Sequence, residues 1–129
     1  IMMLDQSRNT AKALAAALAA WLTASGKPGS VLLVASSDQS HFYQAKKAEA
    51  MDRRVIEALE AQDLDRLYQL DAEGRGEACG LGPMATVLMA CQALDETNLK
   101  VVDHRNSAAA SGEESSVVGY TSAILTVSG

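Results

Sequence analysis

The sequence predicts an α/β protein in which a mixed or mostly parallel sheet carries helices packed on it. Three observations support this. Strand-like and helix-like segments alternate along the chain. Val31-Leu32-Leu33-Val34-Ala35 is a continuous β-branched and apolar run, as expected of a strand covered on both faces. The helix-like segments place apolar residues three and four apart, so each has one face to bury.

The elements follow in order. Ile1–Leu4 reads as a buried strand with no turn or cap before it. Asp5-Gln6-Ser7 is a helix-start signal, and Leu14, Leu18, Trp21 and Leu22 then share one helical face. Gly26-Lys27-Pro28-Gly29 stops that helix. After the 31–35 strand, Ser36 to Tyr43 is a polar loop. Ala48, Met51, Val55, Ile56 and Leu59 mark a second helix, and Leu64, Leu67 and Tyr68 a shorter third. Glu73 to Gly82 holds four glycines and one cysteine. Pro83 suits the first turn of a fourth helix with the stripe Met84, Val87, Leu88, Cys91 and Leu94. Leu99–His104 reads as a strand, Ser107–Ser116 as a small-residue acidic loop, and Val117–Val127 as a final strand. There is no internal repeat, long linker or boundary, so residues 1–129 read as a single domain.

Composition limits the function. The mix is that of an ordinary globular protein, 48% hydrophobic and 21% charged, with few aromatics, so Ala, Leu, Val and Met must fill the interior. The net charge of −5 argues against nucleic-acid binding, which needs a basic stripe to displace counterions. Lys46-Lys47 and Arg53-Arg54 lie among acids on what reads as a solvated helix face. The longest apolar run, Ala13 to Leu22, is too short to span a bilayer, and Asp5 with the absence of a basic leader gives the expectation that the opening segment is not a signal peptide. Two cysteines make no disulfide framework, so the expectation is a reduced, cytoplasmic protein. The abrupt opening at Ile1 is expected to reflect either a true start at Met2 or Met3 or missing upstream sequence.

Two segments hold residues suited to chemistry. Ser36-Ser37-Asp38-Gln39-Ser40-His41-Phe42 follows a strand at its carboxy end, where open α/β sheets place ligand crevices. Asp38 and His41 are close enough to share one crevice, and a carboxylate beside an imidazole orients it and raises its basicity. The plain alternative is that Asp38 caps the next helix or turn and His41 lies on the surface. Cys79-Gly80-Leu81-Gly82-Pro83 puts a cysteine just before a helix amino terminus, which favours the thiolate, both nucleophile and metal ligand. The alternative for Cys79 is an inert thiol. Cys91 sits on the apolar stripe and reads as core. His104 reads as a satisfied strand-end histidine, Glu113 and Glu114 as loop acids in solvent, and the methionines as core filler.

Three segments in order resemble the Memo family, also called AmmeMemoRadiSam system protein B. They are Val34-Ala35-Ser36-Ser37-Asp38-Gln39-Ser40-His41-Phe42, Cys79-Gly80-Leu81-Gly82-Pro83, and Gly112-Glu113-Glu114-Ser115-Ser116-Val117-Val118-Gly119-Tyr120. The similarity covers essentially the whole chain. It implies half of an α/β sandwich related to class III extradiol dioxygenases, the carboxy-terminal part, with the first half absent. It further implies a metal site built from two histidines of that first half and a cysteine at the position of Cys79. Asp38 and His41 then occupy the family's Asp and His beside the site, with His41 as acid/base. The family's Asp in the last loop is Ala109 here, and neither His41 nor His104 aligns with the two metal histidines.

The resemblance therefore implies a metal-dependent redox or dioxygenase-like activity, completed by the absent half, with copper, iron or zinc as the metal. The ligand set of this chain alone is incomplete, so weak metal binding and self-association are expected. A polypeptide supplying the missing half is the expected partner. Two other functions remain open: a non-enzymatic module that binds phosphopeptides, protein partners or small molecules, and a cysteine nucleophile enzyme using Cys79, His41 and Asp38.

Overall fold

The structure, a computed structural model, describes residues 1–26 and 28–127. Its elements are α1 (Arg8–Ser25), a 3-10 turn (Pro28–Ser30), β1 (His41–Tyr43), α2 (Ala45–Glu60), α3 (Leu64–Ala72), α4 (Leu81–Gln92), β2 (Thr97–Asn106), α5 (Ala108–Ser111) and β3 (Val117–Val127). The protein is α/β, as predicted. The sheet differs in direction from the mixed or mostly parallel one expected: its three strands are antiparallel, in the order β1-β3-β2. The chain divides into two compact units, one formed by Ile1–Ser36, Gly82–Asn98 and Leu125–Gly129, the other by Ser37–Leu81 and Leu99–Ile124.

In the first unit, α1 begins where Asp5-Gln6-Ser7 predicts. The Ser7 hydroxyl accepts the Thr10 N–H, and the Asp5 carboxylate accepts hydrogen bonds from Ser7 and Thr10. Those bonds hold the Asp5 carboxyl below the usual carboxylate range. The helix ends at Ser25, with Gly26 in the left-handed conformation (φ 64°) and its N–H on the Thr23 carbonyl. Lys27 of the predicted stop lies outside the described residues.

The buried face of α1 differs from the expected leucine stripe. Ala11, Ala15, Ala19 and Leu22 are buried, Leu14 and Leu18 are half-buried, and Trp21 is exposed. Small side chains allow close approach: the Thr86 hydroxyl of α4 lies 3.4 Å from the Ala11 carbonyl, and the Gly82 N–H donates to Gln6 Oε1 at 2.9 Å. In α4, Ala85, Thr86, Leu88 and Ala90 are buried, whereas Met84, Val87, Cys91 and Leu94 of the predicted stripe are half-buried.

Two predicted strands of this unit do not form. Ile1–Leu4 has no strand partner among the described residues, and Ile1 is 99% exposed. Val31–Ala35 alternates half-buried with exposed side chains, and Leu32 is 85% exposed. A β-branched run becomes a strand only where a neighbour takes its backbone N–H and C=O groups, and no described segment does so.

The second unit has α2 and α3 packed together, with α2 also against β1. Ala48, Met51, Val55, Ala58 and Leu59 of α2 and Leu67 and Leu70 of α3 are buried, close to the predicted stripes. Asp63 caps α3 by accepting the Arg66 N–H at 2.9 Å. β3 spans the predicted residues, with Val117 and Gly119 buried. The predicted 107–116 loop contains the single turn α5. Its Ser107 closes the β2 end, donating its N–H to the Val118 carbonyl and accepting the Val118 N–H. No helix among the described residues is long and apolar enough to cross a membrane.

Candidate metal centre

The polar loop before β1 is fastened to the second unit at several points. The Gln39 N–H donates to the Gly119 carbonyl and the Gly119 N–H to the Ser40 carbonyl, both at 2.9 Å, so residues 39–40 run along β3. Ser40 is fully buried, and its N–H donates to Asp52 Oδ1 at 3.0 Å. The glycine-rich segment docks on the same loop. The Cys79 N–H donates to the Asp38 carbonyl at 3.0 Å, the Gly80 N–H donates to the Ser37 hydroxyl at 2.9 Å, and the Asp38 N–H donates to Cys79 Sγ at 3.1 Å.

These bonds bring together the three residues singled out in the sequence. One ligand atom each from Asp38, His41 and Cys79 lies within 4.8 Å of the others. A tetrahedral ion with ligand bonds of about 2.0–2.3 Å needs its donors roughly 3.3–3.8 Å apart, so a shift of about 1 Å closes the set. The Cys79 sulfur accepts the Asp38 backbone N–H, a contact that fixes the direction of its side chain toward the loop. Carboxylate, imidazole and thiol are a donor set that could hold a metal ion.

His41 is held by a residue that the sequence did not single out. Glu77 Oε2 accepts the His41 backbone N–H at 3.2 Å and lies 3.7 Å from His41 Nδ1, while Oε1 accepts the Tyr43 hydroxyl at 2.5 Å. That bond pushes the Tyr43 phenol above its usual range. Lys47 Nζ sits 4.1 Å over the Tyr43 ring. Glu77 lies in a segment without periodicity, so nothing in the spacing ties it to β1. Asp52 was missed too, although its signal was present: it falls on the helical stripe of Ala48, Val55 and Leu59.

His104 is a satisfied strand histidine, as read from the sequence. Its Nδ1 lies 3.1 Å from the Tyr120 carbonyl and 3.0 Å from the Thr121 hydroxyl. Glu113 and Glu114 are exposed, as expected. Cys91 is a free thiol but half-buried, less enclosed than predicted, and burial raises its pKa.

Phe42, beside His41, has φ 64°, a left-handed conformation that costs a non-glycine residue about 1–2 kcal/mol. The β1–β3 pairing is irregular at this point, with His41 opposite Val118 and Tyr43 opposite Val117. Because Phe42 is 77% exposed, its side chain contributes little packing. Phe42→Gly is expected to leave stability unchanged or raise it by up to about 1 kcal/mol, and Phe42→Val to lower it by at least about 1 kcal/mol, in urea unfolding. A larger loss with Gly than with Val would show that the strain is absent.

The protein is thus α/β, with a three-residue group that could hold a metal ion. The family model described as Memo-like protein matches residues 1–124. Relatives named MEMO1 family protein align over nearly all of the chain. The one from Thermotoga maritima is 37% identical over 97% of the chain and 43% of its own length. That of Nitrosopumilus maritimus is 34% identical over 93% of the chain and 42% of its own length, and that of Methanosarcina acetivorans 33% over 97% and 46%. The chain belongs to the Memo-like family and spans a little under half the length of these relatives.

Proposed function

We propose that this chain contributes Asp38, His41 and Cys79 to a metal centre that serves a redox or dioxygenase-like reaction in the whole protein. The observation that carries this is the convergence of the three donors within 4.8 Å from loops 38 residues or more apart in sequence at Cys79. Thiolate with imidazole suits copper, iron or zinc. A bound ion of this kind supplies a Lewis acid or a redox couple.

The chain's own residues have distinct parts in this reading. Cys79 is the anionic ligand, its sulfur held by the Asp38 N–H. His41 either supplies an imidazole ligand or, left unbound, accepts and returns a proton, and in both cases Glu77 fixes its backbone and lies against its ring. Asp38 provides the carboxylate that orients the imidazole or completes the ligand set. With three donors grouped among the described residues, binding by the chain alone would be weak, and the rest of the protein would add the ligands that tighten it.

The same geometry also supports a second reading, in which Cys79 is a nucleophile activated by His41, because the exposed sulfur lies within 4.8 Å of the imidazole. Alkylation separates the two. Without metal, Cys79 is expected to react with iodoacetamide roughly tenfold faster than Cys91, whose thiol is half-buried and raised in pKa. Zinc in excess is expected to slow Cys79 and leave Cys91 unchanged, as read by peptide mass mapping. A Cys79 rate that zinc does not change would refute the metal reading and leave the nucleophile.

A further inference from the structure

Behind the cluster lies a second group of polar residues that the metal reading does not use. Asp52 of α2 is fully buried (0% exposed). Its Oδ1 accepts the Ser40 N–H at 3.0 Å, and its Oδ2 has no hydrogen-bond partner but lies 3.7 Å from His104 Nε2. On the other side of that imidazole, Nδ1 faces the Tyr120 carbonyl and the Thr121 hydroxyl. The Thr121 hydroxyl in turn donates to Gln39 Oε1 at 2.7 Å. Both ends of the chain of contacts therefore finish on the Gln39-Ser40 segment, one through Ser40 N–H and the other through the Gln39 side chain.

A buried carboxylate is costly unless it is paired, so its retention here calls for a role. β3 leaves room for it: a Cβ on Gly119 would clash with Asp52 Oδ2 and lie 2.7 Å from Cγ. Nδ1 of His104 faces two oxygens that accept, so it carries hydrogen, and the second ring nitrogen is left turned to the carboxylate. The imidazole thus lies between the two elements, in hydrogen-bond reach of β3 through Nδ1 and 3.7 Å from the Asp52 carboxylate through Nε2.

From this geometry we infer that Asp52 and His104 are positioning residues, which set the backbone of residues 39–41 and so hold Asp38 and His41 at the spacing that metal binding requires. The inference rests on the reading of Asp38, His41 and Cys79 as a metal-binding cluster. Neither residue touches the three donors among the contacts described; each acts through Gln39 or Ser40.

The test uses the full chain with Co²⁺ as the probe, followed by its thiolate-to-cobalt absorption, and amide hydrogen exchange at Ser40. Asp52→Ala is expected to weaken Co²⁺ binding by about tenfold or more, the scale at which supporting groups act on metal ligands, and to abolish protection of the Ser40 amide. Asp52→Asn keeps an acceptor for that amide and is expected to recover its protection and much of the affinity. His104→Ala is expected to weaken Co²⁺ binding in the same direction. Leu67→Ala lowers stability from α3, which carries none of these residues, and is expected to leave Co²⁺ affinity unchanged. An Asp52→Ala variant that binds Co²⁺ like the parent, or a Leu67→Ala variant that loses as much affinity, would overturn the inference. If the parent shows no thiolate band, the metal reading fails separately, and Ser40 exchange in Asp52→Ala still decides whether Asp52 holds the loop: persisting protection overturns that role.

Discussion

Gly119→Ala is expected to destabilise the protein by about 2–4 kcal/mol in urea unfolding, more than an ordinary strand glycine would. The site has no space for a methyl group. The added carbon would clash with Asp52 Oδ2 and lie 2.7 Å from Cγ and 2.9 Å from Oδ1. Asp52 has no free direction in which to yield, because it is enclosed, bound to the Ser40 N–H and placed against His104. Either the strand moves, breaking the paired bonds between Gly119 and residues 39–40, or the carboxylate moves and leaves a buried N–H unsatisfied. The cost should depend on Asp52. In the double variant Gly119→Ala/Asp52→Ala the two losses are expected to fall short of their sum by roughly 1–3 kcal/mol, the range for residues in contact. Additive losses, or a Gly119→Ala change within about 0.5 kcal/mol of the parent, would show that the close approach is not what makes glycine necessary there.

This dependence shows what sequence reasoning could and could not reach. The final strand was legible to the residue, because Val117–Val127 combines β-branched residues with flanking small and acidic ones. The helix pattern was also clear where large side chains face the core, as in α2. It was misleading in α1, where buried alanines allow close packing and, of the expected stripe, Leu22 is buried while Leu14 and Leu18 lie only half-buried and Trp21 is exposed. Val31–Ala35 looked like a central strand because its composition suits one, yet a strand is completed by its neighbours, and composition does not reveal whether they are present.

The site divides in the same way. Asp38, His41 and Cys79 could be proposed because residue type and loop position already suggest chemistry, and the resemblance put the segments in order. Their support could not be proposed so readily. Glu77 binds β1 from a glycine-rich loop with no repeating pattern. Asp52 looks like one more acid in a charged helix until its place on the buried stripe is noticed. Long-range polar contacts of this kind depend on tertiary placement, and short-range spacing carries little trace of them.

The second large effect concerns the metal. Replacing the thiol should remove the strongest donor from a set of three among the described residues, so Cys79→Ser is expected to lower Co²⁺ affinity by more than about tenfold, with smaller losses for His41→Ala and Asp38→Ala. A measurement of the absorption spectrum during Co²⁺ titration tests the cluster most directly, because a sulfur-to-cobalt band appears only if thiolate sulfur is bonded to the ion. The expected result is a band that grows with excess Co²⁺ in the parent and in Cys91→Ser, is lost in Cys79→Ser, and requires more Co²⁺ in His41→Ala. A parent spectrum without the band at saturating Co²⁺, or a band that persists in Cys79→Ser, would contradict the assignment of Asp38, His41 and Cys79 as one metal-binding cluster.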